Sequence, residues 1–126
     1  MDKERITSEK VKDIAPSYFS NAIRFGGLVF TTAKSGINAD GKLARGIKGQ
    51  TRQSLENIKA LLEAAGTNME HVLKTTVYLT STKNFEKMNE VYSSYFKIPP
   101  ARAIVITRGW GVRSRLVEIE AIAGIP

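Results

Sequence analysis

The 126-residue sequence contains no cysteine, and its only histidine is His71. Without cysteine there can be no disulfide framework, thiol nucleophile or thiolate metal site. A single histidine cannot build a multi-histidine metal site, and any serine-histidine-aspartate arrangement would have to use it alone. His71 stands in "GTNMEHVLK", between a helix-like and a strand-like stretch, and reads as a surface connector. No metal site is expected. Nor does any apolar run approach the ~18 residues that suggest a membrane span. The opening stretch "MDKERITSEKVKDIAP" is charged throughout and lacks the apolar centre of a signal peptide. A cytoplasmic location and no membrane partner are the expectations. Internal repeats, low-complexity tracts and linkers are also missing, and the length fits a single domain over residues 1–126 with a modest core.

The chain does carry an excess of positive charge. Its formal net charge is +7 and its isoelectric point is about 9.8, which suits either a nucleic-acid footprint or a field that draws small anions. Clustering separates the two. The lysines and arginines are scattered, with one local concentration at Arg108, Arg113 and Arg115, and no basic run is interleaved with aromatics. A solvated basic surface is the preferred reading, and a nucleic-acid partner is not expected.

Two β-prone runs, Ala22–Phe25 and residues 28–34, flank Gly26-Gly27, the signature of a tight hairpin. Across residues 49–65, Leu55, Ile58, Leu62 and Ala65 recur at spacings of three and four, with Gln53, Glu56, Lys59 and Glu63 assigned to the surface. That pattern predicts an amphipathic helix, ended by Gly66 in a left-handed cap. "HVLKTTVYLT" predicts a strand over residues 72–80. Ser81 or Thr82 then caps a second helix with a stripe of Phe85, Met88, Tyr92, Tyr95 and Phe96, stopped by Pro99-Pro100. Two last strands, residues 101–108 and 115–123, are joined by "GWGVRS" and read as a hairpin. The order predicts an α+β fold with two helices on one face of a mixed sheet. Its other face, built from strands as apolar as "LVFTTA" and "AIVIT", calls for a second subunit.

Two charges stand out in that last pair of strands. Period-2 alternation puts Arg102, Ile104, Ile106 and Arg108 on one face. The Arg102 guanidinium offers a planar fork that grips a carboxylate with two hydrogen bonds, whether that of a small anion or of an internal Glu or Asp. On the last strand Leu116, Glu118, Glu120 and Ile122 share a face, with the two glutamates about 7 Å apart along it. They could act together chemically or simply answer nearby arginines.

"QTRQSLENIKALLEAAG", "VLKTTVYLT", "MNEVYSSYF", "PPAR" and "LVEIEAIA" together resemble the reactive intermediate deaminase family (RidA, also YjgF) over residues 20–123. The resemblance implies a chorismate mutase-like fold and a homotrimer whose sites lie between subunits. It also implies hydrolysis of reactive enamines and imines, such as 2-aminoacrylate and 2-imino acids, to 2-keto acids and ammonia. The enzyme would be a cofactor-independent hydrolase of the 2-iminobutanoate/2-iminopropanoate deaminase type. Arg102 then holds the substrate carboxylate and Glu118 positions or activates water, while Asn89 lines the same region. An imine carbon is already electrophilic, so orientation, a held water and a proton path suffice.

The chain departs from the family pattern at several site positions. Phe19 takes the register of the family tyrosine, Thr32, Ala33 and Lys34 occupy the site-lining turn, and Ile104 stands where cysteine is common. Lys34 could add a second cation that favours a larger or dianionic substrate, or could reach into solvent. Two other functions stay open at this point: a trimeric 2-keto acid binding protein without useful turnover, and an RNA-acting translation inhibitor.

Overall fold

The computed structural model describes residues 2–111 and 114–126, so Val112 and Arg113 of the "GWGVRS" segment lie outside the described residues. Seven strands and two helices follow the order β1 (Glu4–Ile6), β2 (Ala22–Phe25), β3 (Leu28–Thr31), β4 (Lys34–Ser35), α1 (Gly46–Ala64), β5 (Val72–Leu79), α2 (Phe85–Ser93), β6 (Ala101–Ile106) and β7 (Val117–Gly124). All strands join one sheet in the order β1-β2-β3-β7-β5-β6, with β4 also paired to β7. Among the described residues only the β5/β6 pair is parallel, so the sheet is mixed and the fold α+β, as the pattern of elements predicts.

The two helices share one face of that sheet. Leu55 of α1, Met88 and Tyr92 of α2, Val77 and Leu79 of β5, and Val117 and Ile119 of β7 form one buried cluster. Ile58, Leu61 and Leu62 of α1 close a second over Val29, Ala121 and Ala123. Each fully buried side chain of this size contributes about 1.5–3 kcal/mol, which fixes which stripe of α1 turns inward. Among the described residues no helix covers the opposite sheet face, and Leu28, Phe30, Leu73 and Val105 remain 39–55% exposed there or at its margin.

The last two strands do not form a hairpin. β5 runs between β6 and β7, parallel to the first and antiparallel to the second. The physical reason lies in α2: the helix links β5 to β6 as a crossover, and a crossover lays its second strand beside the first in parallel. Among the described residues β6 therefore has one strand neighbour, and β7 lies in the middle of the sheet.

Other boundaries shift less. The 28–34 run breaks at Thr32-Ala33, where Thr31 Oγ1 donates to Thr32 O at 2.9 Å and the chain re-enters the sheet as β4. Helix α1 begins three residues earlier than its apolar period suggests. Its first residue, Gly46, has φ +67°, and Ile47 is buried. Its end matches expectation: Gly66 adopts φ +91°, and the amides of Gly66 and Thr67 reach back to Glu63 O and Leu62 O. Three-residue β1 is not foreseen by periodicity. It is pinned by its pairing with β2 and by the Glu4–Arg24 ion pair at 2.6 Å.

Candidate functional site

Arg102 enters the site from the helix-covered face. It is paired in register with Thr75, whose Oγ1 shares a 2.6 Å hydrogen bond with Tyr92 Oη of α2. The guanidinium lies 4.8 Å from the Tyr92 ring centre and 5.8 Å from that of Phe85, and Nη1 donates to Asn89 Oδ1 at 2.7 Å. Burial pushes the Tyr92 phenol up, so Arg102 faces a neutral ring. Among the described residues no carboxylate pairs with it. The alternative of an internal Glu or Asp partner is therefore set aside for those residues. Arg102 opens with Asn89, Ser93, Phe96 and Pro100 onto a cleft of about 300 Å³. A rigid cation on a partly apolar floor, with donors to spare, can hold a small carboxylate. Ile104, two residues along the same face, packs partly against the buried cluster of α2 and β5.

Glu118 belongs to the opposite face. Val117, Ile119, Ala121 and Ala123 point into the core beneath the helices, so the period of two sends Glu118 and Glu120 the other way. Glu118 is 8% exposed and accepts from Arg115 Nη1 at 3.4 Å. Burial pushes its carboxyl above the ordinary range, opposed by Arg115 and Lys34. Glu120 accepts a short hydrogen bond from Tyr78, the residue paired with Glu118 across β5 and β7. Both glutamates have partners, yet Glu118 retains the raised proton affinity of a buried acid, which suits a group that takes and returns a proton.

The structure buries Lys34, overturning the alternative in which it reaches solvent. Only 6% of it is exposed, and Nζ donates to Asn21 Oδ1 at 2.8 Å. Thr32 and Ala33 lie half-buried just before it, the Thr32 amide bound to Asn21 O at 2.8 Å. Phe19, 41% exposed, ends a turn that starts at Ala15 (φ +80°), and its neighbour Tyr18 is 89% exposed. Within one chain the predicted residues thus fall into two groups. Arg102, Asn89 and Ile104 meet on the helix side of β6, while Lys34 and Glu118 stand on successive rungs of the β4/β7 ladder, Lys34 paired with Ile119 and Ser35 with Glu118.

Sequence periodicity misses the scaffold behind the second group. Gln50, Ser54 and Asn57 of α1 are buried polar residues on its inner stripe. Ser54 Oγ donates to Lys34 O at 2.6 Å, and Asn57 Nδ2 to Ser35 O and Ile37 O at 3.1 and 2.9 Å. Gln50 bonds Ser114 O and the Leu116 amide at 2.7 and 2.8 Å. Their signal is available in the sequence: positions 50, 54 and 57 recur at helical spacing on the flank of the apolar stripe.

Comparison with known proteins adds to this geometry. A family model described as Endoribonuclease L-PSP matches residues 10–125. A RutC family protein of Pyrococcus horikoshii is 47% identical over 96% of this chain and 97% of its own. An Arabidopsis thaliana protein named Reactive Intermediate Deaminase A, chloroplastic, is 34% identical over 96% of this chain and 65% of its own. Among solved structures, Escherichia coli TdcF with bound serine superposes with a TM-score of 0.90 at 29% identity, over 98% of this chain and 99% of that one.

Proposed function

We propose, because the chain belongs to the Endoribonuclease L-PSP family of Rid (YjgF) proteins, that it hydrolyses 2-aminoacrylate and related 2-imino acids to 2-keto acids and ammonia in the cytoplasm. The observation that carries this reading is the Arg102 fork. It is held by Asn89 and the Tyr92 ring, without a carboxylate of its own among the described residues, and opens onto a cleft. A relative named as a reactive intermediate deaminase supports it, as does a structural neighbour with bound serine, itself an amino acid carboxylate.

The reaction adds water to the C=N carbon and expels the nitrogen as ammonia. Arg102 pairs with the carboxylate and so orients the imine. Glu118 accepts a proton as water forms the new C–O bond and passes it to the nitrogen; the carbinolamine then gives its hydroxyl proton, through the same carboxylate, to the nitrogen as the C–N bond breaks and the C=O bond forms. An enamine enters the same path after protonation at its methylene carbon. Each step needs only positioning and proton transfer. In one chain Arg102 and Glu118 stand on opposite sheet faces. The proposal therefore includes a homotrimer in which Arg102 of one subunit and the Glu118 face of the next border each site, with the bare apolar face covered in assembly.

The test follows ammonia and 2-keto acid release from 2-aminoacrylate generated in situ. Loss of the intermediate faster than its spontaneous hydrolysis supports the reading. A protein that binds 2-keto acids without accelerating that loss is a carboxylate-binding module instead. The family's description keeps an RNA arm in the test: RNA cleavage with strongly salt-dependent binding would replace the deaminase reading.

A further inference from the structure

The segment that leads into β7 is tied to α1 on both sides of Arg115. Gln50, 2% exposed, donates from Nε2 to Ser114 O at 2.7 Å and accepts at Oε1 from the Leu116 amide at 2.8 Å. The Leu116 carbonyl in turn accepts from the Thr80 amide at 3.2 Å, just past the end of β5. A buried amide that uses both of its ends keeps one orientation, so Arg115 leaves a backbone that is fixed before and after it. Its side chain, 24% exposed, turns back onto the strand, where Nη1 donates to Glu118 Oε2 at 3.4 Å. That is the one hydrogen bond to the Glu118 carboxylate among the described residues, so Oε1 is left to other donors. A bridge built for stability closes with two short, parallel bonds from the guanidinium fork. Here a single long bond is made, and the buried Arg115 Nε has no partner among the described residues. An unmatched buried donor costs stability, so what the pair retains is the placement of a positive charge beside the carboxylate.

We propose that Arg115 is a positioning residue for Glu118: aimed by Gln50 of α1, its guanidinium holds Oε2 and keeps the carboxylate ionised, leaving Oε1 for the attacking water. The inference rests on the deaminase reading for its catalytic meaning, but the ion pair and its support from α1 do not. The local electrostatics agree. Burial pushes the Glu118 carboxyl up, and the charge of Arg115 acts most strongly against it, followed by the Arg115 hydrogen bond and then by Lys34, while Glu120 acts with burial. The other titratable groups around the carboxyl have partners elsewhere. Lys34 on β4 is paired with Ile119 and donates to Asn21. Tyr78, opposite Glu118 on β5, gives its hydroxyl proton to Glu120 and holds that proton more tightly than usual, first because of this bond. Arg115 is thus the cation in direct contact with Glu118.

The decisive measurement is the pH titration of the Glu118 carboxyl by 13C NMR in the intact protein, with the resonance assigned through Glu118→Gln. In Arg115→Met the Glu118 midpoint should rise by about one pH unit or more, while Arg115→Lys, which keeps the charge but not the planar fork, should recover part of that shift. Gln50→Leu, which frees the backbone on either side of Arg115, should raise the midpoint in the same direction. An unmoved midpoint in folded Arg115→Met overturns the inference, and an unmoved midpoint in folded Gln50→Leu overturns the aiming by α1. If Arg115→Met does not fold, the 15N resonances of the Arg115 guanidinium report the pair from its other side: they should shift in Glu118→Gln, and unmoved resonances overturn the inference equally. A coupled pair in a protein that hydrolyses no imine keeps the ion pair and removes the deaminase reading. Imine hydrolysis without coupling removes the Arg115 inference alone. With both present, the acidic limb of kcat/KM in Arg115→Met should move to higher pH with the Glu118 midpoint, lowering kcat/KM about tenfold per unit below the limb. A profile scaled down uniformly, with its limb fixed, would make Arg115 a structural residue and overturn the inference.

Discussion

Asn89 and Arg102 are joined by a 2.7 Å hydrogen bond from the guanidinium to the amide oxygen, bridging α2 and β6. The amide occupies one edge of the fork without neutralising its charge, so the arginine is aimed yet still cationic. Lysine cannot reproduce this, because it lacks the planar donor pair and stacks less well over an aromatic ring.

Arg102→Ala and Arg102→Lys are both expected to lose about 2–5 kcal/mol of 2-keto acid binding, measured by isothermal titration, while melting temperature and assembly stay close to wild type. Near-full binding by the lysine variant would refute recognition by two parallel hydrogen bonds. An alanine variant that unfolds would make Arg102 a structural element of the α2/β6 contact.

Glu118→Gln is expected to lower imine turnover at least about tenfold with carboxylate affinity retained. Its stability should depend on pH in a defined direction. The native carboxyl holds its proton more tightly than the unfolded chain does, so the native state gains from Glu118 only at low pH. That gain is lost as pH rises from the ordinary carboxylate range through the raised native value. The melting temperature of Glu118→Gln relative to wild type should therefore climb as pH rises above the ordinary carboxylate range. A constant difference would mean that the carboxyl is not perturbed by burial.

Val105 is paired with Tyr78, is 40% exposed, and alternates with Arg102 and Ile104 along β6. If the bare sheet face is a subunit interface, Val105→Glu should convert a trimeric mass in sedimentation to a monomeric one. It should also abolish turnover, because the Arg102 and Glu118 groups then no longer border one cleft. A wild-type monomer at micromolar concentration would end the shared-site proposal.

Gly36 follows β4 where it crosses α1, and a β-carbon there would stand 2.6 Å from Gln50 Cα. Gly36→Ala should cost about 1–3 kcal/mol in denaturant unfolding. It should also reduce turnover by displacing Lys34 and Ser35 from their bonds to Ser54 and Asn57. Unchanged stability would show that the approach of β4 to α1 can relax.

Much of this arrangement is legible in the residues themselves. The stripe Leu55, Ile58 and Leu62 sets α1 on the sheet, Gly66 ends it, and alternation along β6 and β7 assigns Arg102 and Glu118 to faces. What alternation cannot supply is the order of strands. β6 and β7 follow one another closely in sequence yet are separated by β5, because a crossover helix decides that placement and no local pattern encodes it. Lys34 misleads for another reason. Lysine on a turn usually extends into water, and its burial depends on Asn21 and Ser54, thirteen and twenty residues away. The polar stripe of α1 is hidden because glutamine, serine and asparagine on a helix look solvated until the loop they hold is folded against them.

The central position of β7 also dictates an order of assembly. This last strand joins β3, β4 and β5. Before it docks, β1–β2–β3 and β5–β6 are separate pieces of sheet with no hydrogen bonds between them. The contacts that unite them include the longest sequence separations among the described residues, from Gly27 to Ile125 and from Leu28 to Gly124. Such closures carry a high loop-entropy cost and come late. A ribosome-bound chain that still lacks β7 holds two half-sheets with open edges, and Arg102 is in place before Glu118 has a strand to sit on.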